Sequence, residues 1–202
     1  MEILQIILIL FPAVILHECA HGWVAWRLGD STAKLAGRLT LNPLKHVDPL
    51  GTVILPGLLF LLRSDFFIGW AKPVPVNFMN LRHPRRDMML VALAGPATNI
   101  ALALAASALL KINSSSVVAH WLSQAIVINL LLAIFNLIPI PPLDGSRLVL
   151  ALLPKTLAYL YAQMEEYGLL IVVILLSLGL FKAFILPLVF LLAYYFGVRW
   201  GG

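Results

Sequence analysis

The feature that most constrains this chain is an apolar run of membrane-spanning length that carries ionisable side chains near its centre. Residues 3–26 (ILQIILILFPAVILHECAHGWVAW) are almost wholly apolar, and about 20 such residues suffice to cross a bilayer as a helix. His17, Glu18 and His21 stand inside this run. Each charged group placed in a bilayer costs about 2.5 kcal/mol or more, so the cluster indicates a functional site.

The spacing of these side chains predicts a metal site. Residues i and i+4 share one face of a helix, so His17 and His21 can bind the same metal ion. Glu18, rotated by about 100° from His17, lies beside that ion as a candidate general base. Two histidines that merely hydrogen-bond across helices are the alternative, but that reading leaves a glutamate unexplained at bilayer depth.

Composition independently indicates an integral membrane protein. Of the 202 residues, 61% are hydrophobic and 11% are charged, whereas a soluble domain is about 45–50% apolar and about 25% charged. The only cysteine is Cys19, which excludes an intramolecular disulfide. The net charge of +5 comes from Lys and Arg scattered through loops. This pattern is typical of a topology signal, and no nucleic-acid partner is expected.

We therefore predict an all-α polytopic membrane protein with five or six transmembrane helices, forming a single membrane-embedded domain over residues 1–202. No removable signal peptide is expected, because Glu2 stands where a basic region would be needed. Short extended or re-entrant segments are expected at about 36–80, including a re-entrant stretch at 50–62, and the number of spans depends on 50–62 and 143–167. The clearest helical runs are 3–27, 88–110, 121–140 and 168–198, the last as two short helices broken near Lys182 and Pro187.

The distribution of basic residues predicts the orientation in the cell membrane. The loops after the first span and before residue 88 are both rich in Lys and Arg, so both should lie on the cytoplasmic side. The N-terminus is then external and the C-terminus internal. His17 and His21 precede Arg27 by 10 and 6 residues, which places them about 9–15 Å below the cytoplasmic surface. Polar residues of three spans converge on this half of the membrane.

A zinc site with two histidines needs a third protein ligand, which leaves the fourth position for water. The candidates outside the first span are His46, Asp48, His83, His120 and Asp144. Asp144 stands out because it ends the proline-rich stretch NLIPIPPLDG (136–145), which unwinds a span into a predicted Asp-Gly turn. Irregular backbone at that depth is tolerated only where it is buried in protein or lines a cavity. A simple helix-terminating turn remains the alternative.

With these motifs in place, the chain resembles the site-2 protease family of intramembrane zinc metalloproteases, peptidase family M50. The resemblance rests on HECAH (17–21), NLIPIPPLDG (136–145) and, between them, GPATN (95–99), which is similar to the central-helix signature of that family. The stretches GRLTLNPLKHVDPLGT (37–52) and GWAKPVPVN (69–77) look like loops of its compact branch, and neither a PDZ nor a CBS domain is expected.

The resemblance implies three core helices around one buried Zn²⁺ per chain, held by His17, His21 and Asp144. It also implies that Glu18 is the general base and that Asn136 polarises the scissile carbonyl. The expected activity is hydrolysis of peptide bonds in or near transmembrane segments of other proteins, with membrane proteins or peptides as substrates and the lipid bilayer as surroundings.

Two other function classes compete with this reading. A metal transporter could use the same His and Asp side chains, but the external half of the chain looks too apolar for a pathway through the membrane. An inactive scaffold that binds transmembrane helices would not need an intact Glu18.

The remaining polar residues support weaker predictions. Asn99 and Asn129 could line the site or could hydrogen-bond between helices. His46 and Asp48 are expected to order the 37–52 loop. The stretch KPVPV (72–76) is expected to be extended, because a residue before proline avoids the helical region. It would serve either as an edge that pairs with an extended substrate or as a rigid connector.

Overall fold

The computed structural model describes residues 2–54, 57–58, 61, 71–112 and 115–200. These residues form an all-α structure in which the described part contains no β-strand, which confirms the predicted fold class. The α-helices are α1 (Glu2–Arg27), α2 (Thr32–Leu35), α3 (Pro84–Ile112), α4 (Ser116–Asn136), α5 (Asp144–Leu152), α6 (Lys155–Gln163), α7 (Gly168–Ser177) and α8 (Leu186–Tyr195).

Four helical stretches in the described part of the chain are long and apolar enough to cross a membrane. They are Leu4–Arg27, Pro84–Ile112, Ser116–Asn136 and Lys155–Ser177, and Phe181–Tyr195 is a shorter apolar stretch. The predicted re-entrant segment at 50–62 begins in a π-helix, Pro49–Ile54. Most of its remainder lies outside the described residues, so that prediction stays open.

Two of the predicted spans have different ends in the structure. The third span ends at Asn136 and not near Ile140, because a proline at 139 lacks the N–H that a helix needs and disfavours helical backbone in the residue before it. The last apolar run breaks at Gly179, where φ is +73°, a conformation that glycine adopts readily. Lys182 instead lies in a π-helix that leads directly into α8.

Helix α3 is the centre of the fold, because it packs against α1, α4 and α5. Its small buried alanines let the neighbouring helices approach closely. A hydrogen bond also joins α3 to the residue that follows α8: the hydroxyl of Ser107 donates to the carbonyl oxygen of Phe196 over 2.5 Å. The apolar core between α3, α4 and α8 consists of Ala103, Ala106, Ile126, Leu130, Val189, Ala193 and Val198.

Residues 71–77, the extended segment, run alongside the C-terminal half of α1 in the non-helical conformation that the prolines predict. The backbone N–H of Lys72 donates to the carbonyl oxygen of His46 over 2.9 Å. The buried guanidinium of Arg38 donates to the carbonyl oxygen of Lys72 over 2.7 Å. The segment is thus fixed to the 37–46 loop at one end.

Asp30 fixes the other end of the extended segment. Its carboxylate is fully buried and accepts a hydrogen bond from the backbone N–H of Asn77 over 2.7 Å. Burial alone would raise the pKa of Asp30, but hydrogen bonds from the side chains of Thr32 and Asn80 and from the backbone of Asn77 and Thr32 hold it below the ordinary value.

Candidate active site

Three predicted metal ligands meet at one point between α1 and α5. Nε2 of His17 and Nε2 of His21 lie 3.0 Å apart, and each lies 3.2 Å from Oδ2 of Asp144. Both histidines are buried within the Leu4–Arg27 span. Among the described residues, these three side chains form a cluster of potential ligands that could hold a metal ion.

The other nitrogen of each imidazole is held by an acceptor on α3. Nδ1 of His17 donates to Oδ1 of Asn99 over 2.5 Å, and Nδ1 of His21 donates to the carbonyl oxygen of Val91 over 2.7 Å. A neutral imidazole carries one proton, so a donating Nδ1 leaves Nε2 with a free lone pair. Both lone pairs then face the carboxylate of Asp144.

Three acceptor atoms that face one another suit a cation between them. Zinc–ligand distances of about 2.0–2.1 Å at tetrahedral angles put ligand atoms about 3.3 Å apart, close to the observed separations of 3.0 and 3.2 Å. Oδ2 of Asp144 is buried and has no hydrogen-bond donor among the described residues. Two imidazoles, each held by an outer hydrogen bond, and a buried carboxylate oxygen without a donor therefore fit a zinc ion.

The position of Asp144 follows from the local sequence in a way that differs from the prediction. Asp144 does not end a span in a turn; it is the first residue of α5. Leu143 before it is extended, and its carbonyl oxygen accepts hydrogen bonds from the backbone N–H and the hydroxyl of Ser146. The helix N-terminus also favours a carboxylate. The prolines end α4, and a new helix then starts at the ligand itself.

Two glycines allow the helices to come this close. A Cβ on Gly145 would lie 2.2 Å from the carbonyl oxygen of Leu137, so only glycine lets α5 start against the end of α4. A Cβ on Gly95 of α3 would lie 2.3 Å from Nε2 of His21 and 2.5 Å from Nε2 of His17. The α3 backbone thus borders the space that the metal-facing nitrogens share, and a side chain at 95 would fill it.

Glu18 is held by the extended segment. Its Oε2 accepts a hydrogen bond from the backbone N–H of Val74 over 2.8 Å. Gly22, one helical turn further along α1, leaves room for this contact, because a Cβ there would lie 2.7 Å from Cγ1 of Val74. The candidate base therefore has a fixed partner, which the sequence did not predict.

Asn136 is the last residue of α4, and one N–H of its amide donates to the carbonyl oxygen of Leu132 over 2.9 Å. An amide group has two N–H donors, so this bond leaves one donor for another acceptor. The structure does not connect Asn136 to the three ligands by a hydrogen bond, and its catalytic role stays a prediction.

The other candidate ligands lie in different surroundings. Nε2 of His46 donates to the carbonyl oxygen of Thr40 over 2.8 Å, and Oδ1 of Asp48 accepts from the backbone N–H of Gly51 over 2.7 Å. Both residues thus order the loop, as the sequence predicted. His83 lies 3.8 Å from the carboxylate of Asp87, and His120 lies 3.0 Å from the side-chain amide of Gln124.

The sequence left the roles of two asparagines open, and the structure connects both to the site. Nδ2 of Asn99 donates to Oδ1 of Asn129 over 3.0 Å while its Oδ1 holds His17. The interhelical bond and the site contact are therefore made by the same side chain. The sequence could not show that Asn129 contacts Asn99 and that Asn99 contacts His17, because these contacts depend on how α1, α3 and α4 pack.

Comparisons with known proteins bear on the chemistry of this site. Residues 108–180, which contain Asn136 and Asp144, match the family model described as Peptidase family M50. No solved structure matches the chain.

Relatives extend the similarity beyond that stretch. YwhC of Bacillus subtilis is 38% identical over 180 residues, which cover 84% of this chain and 78% of that protein. Rip2 of Mycolicibacterium smegmatis is 37% identical over 165 residues, covering 80% of this chain and 62% of that protein. MJ0392 of Methanocaldococcus jannaschii is 25% identical over 195 residues, covering 95% of this chain and 48% of that protein. All three carry the words zinc metalloprotease in their names.

Proposed function

The chain belongs to peptidase family M50 and is a zinc metalloprotease of the membrane, and from this premise we propose that it hydrolyses peptide bonds in or near transmembrane segments of other proteins. One observation carries the proposal. His17 and His21, which face Asp144, lie within a helix that is long and apolar enough to span a bilayer. A peptide bond can reach them only at or below the membrane surface.

The proposed roles follow from the side chains. A zinc ion held by His17, His21 and Asp144 would supply a Lewis acid that polarises a carbonyl group and lowers the pKa of water. Glu18 removes a proton from the attacking water and delivers it to the leaving amine. The N–H of Val74 keeps the Glu18 carboxylate in one orientation. The free N–H of Asn136 donates to the oxyanion that develops on the substrate.

The substrate must present an exposed peptide bond to these groups. In a helix the carbonyl oxygen is already hydrogen-bonded, so the segment to be cut has to unwind locally. Residues with low helix propensity near the scissile bond therefore favour cleavage. Basic loops support a site on the cytoplasmic side with the N-terminus outside, so that water has a short path to the zinc.

The deciding experiment uses the purified full chain reconstituted in liposomes with a single-span reporter peptide. One reporter carries Asn-Gly within its transmembrane segment, and a matched reporter carries Leu-Leu there. Wild-type protein should release fragments from the first reporter faster than from the second. Glu18→Gln should slow cleavage by about 10²–10⁴-fold, because the general base is lost, and should retain zinc.

Other outcomes would contradict the proposal. Cleavage that continues in Glu18→Gln, or after zinc is removed by a chelator, would exclude this site as the catalytic centre. Zinc flux into the liposomes without fragment release would favour a transporter.

A further inference from the structure

Two buried amides form a chain that ends on a metal ligand. Nδ2 of Asn129 donates to the carbonyl oxygen of Ala125 over 2.9 Å. Oδ1 of Asn129 accepts from Nδ2 of Asn99 over 3.0 Å, and Oδ1 of Asn99 accepts from Nδ1 of His17 over 2.5 Å. Asn99 is fully buried, and Asn129 is 4% exposed. The chain links α4, α3 and α1.

The carbonyl oxygen of Ala125 fixes the donor and the acceptor in every hydrogen bond of this series. The carbonyl oxygen of Ala125 can only accept, so Asn129 must turn its NH₂ group toward it and its oxygen toward Asn99. Asn99 must then donate to that oxygen and turn its own oxygen toward His17. An amide oxygen can only accept, so Nδ1 of His17 must be the donor.

We propose that Asn99 and Asn129 are positioning residues that hold His17 with its Nε2 lone pair toward the metal. The backbone carbonyl oxygen of Ala125 sets the orientation of Asn129, and Asn129 passes it to Asn99. The carbonyl oxygen of Ala13 favours the same orientation of Asn99, but through a longer contact of 3.5 Å. His21 needs no such chain, because the carbonyl oxygen of Val91 accepts directly from its Nδ1. The two histidines therefore depend on different parts of the fold for the same tautomer.

A purely structural role for the amides would have different consequences. Ser107 provides the comparison, since it is buried on α3 and makes an interhelical hydrogen bond to the carbonyl oxygen of Phe196. If the amides only hold helices together, Asn129→Leu should resemble Ser107→Ala and lower stability alone. If they position His17, Asn129→Leu should also lower zinc affinity, by about tenfold or more.

The test is a double-mutant cycle on zinc affinity, measured in detergent by competition with a chromophoric chelator. Asn99→Asp places a carboxylate beside Nδ1 of His17, and a carboxylate accepts in either orientation without a partner to set its direction. Asn129→Leu should therefore weaken zinc binding in the native background but not in the Asn99→Asp background, where it removes an amide oxygen that faces the carboxylate. Ser107→Ala should retain native zinc affinity while thermal unfolding registers its lost bond.

Two results would overturn the proposal: an unchanged zinc affinity in Asn129→Leu, or an equal loss in both backgrounds. Where leucine prevents folding, Asn129→Ala breaks the same two bonds with a smaller side chain and enters the same cycle. The readout is metal affinity and not cleavage. Failure of this proposal is therefore distinguishable from failure of the proposed protease function.

Discussion

Gly95→Ala is expected to remove zinc from the protein while leaving its helices folded. The added Cβ would lie 2.3 Å from Nε2 of His21 and 2.5 Å from Nε2 of His17. Ordinary van der Waals contact begins at 3.4 Å, so the nearer atom is too close by about 1.1 Å. Zinc sites tolerate deviations of about 0.2 Å in their ligand distances. An imidazole that moves far enough to accept the methyl group therefore leaves its ligating position.

The same substitution should have a small effect on folding. Alanine is favoured over glycine in a helix interior by about 1 kcal/mol, whereas overpacking a buried site costs about 1–3 kcal/mol. The free energy of unfolding should thus fall by about 0–2 kcal/mol, while zinc affinity should fall by about 100-fold or more, since losing even an outer-shell partner of a ligand costs about 10–100-fold.

The assay compares zinc content, zinc affinity and thermal unfolding of the purified variant with those of wild type. Gly57→Ala is the matched control, because a Cβ there meets no described atom within 4 Å. It should retain zinc. A Gly95→Ala protein with wild-type zinc stoichiometry and affinity would refute the inference that the α3 backbone borders the metal.

Three further predictions concern the base, the fold and the metal. Val74→Pro removes the N–H that holds Glu18 and should lower the cleavage rate by about tenfold or more at unchanged zinc content. Val76→Pro is the control, because the N–H of Val76 has no partner among the described residues, and this substitution should not lower the rate. Folding depresses the pKa of Asp30 below its ordinary value of 3.8, so the ionised carboxylate stabilises the folded state fully at neutral pH. This contribution is lost as the pH falls below 3.8 and through the lower pKa of the folded state. Thermal unfolding of Asp30→Asn should therefore depend less on pH in this range, and an identical pH dependence would contradict the hydrogen-bonded carboxylate. Removing zinc with a chelator should lower the unfolding temperature of wild type but not of Asp144→Asn, as calorimetry can measure.

The sequence was sufficient for the features that depend on local pattern. Apolar length predicted the spans, and the i, i+4 spacing predicted that His17 and His21 would share a face. The prolines of 139–142 predicted an interruption beside Asp144. They did not indicate that Asp144 would begin a new helix, because this depends on the packing of Gly145 against the carbonyl oxygen of Leu137.

Features that depend on packing between distant segments could not be predicted. The sequence marks Gly95 only as part of the GPATN stretch, and its close approach to the two imidazoles becomes visible only when α3 is packed on α1. The contact between Val74 and Glu18 requires the path of the extended segment. Asn99 makes both of the contacts that the sequence left open, one with His17 of the site and one with Asn129 of another helix. The sequence could not separate them, because a buried asparagine suits either contact.

The position of Asp144 on α5 has a consequence for the biosynthesis of the protein. The two histidines are made with the first span, whereas the aspartate follows only after α3 and α4 have been synthesised. A nascent chain therefore cannot complete its ligand set until α5 has been made and packed against α3. Since metal binding adds to the stability of the state that binds it, zinc would selectively stabilise fully assembled molecules. Zinc content should thus report how much of a membrane preparation has finished folding.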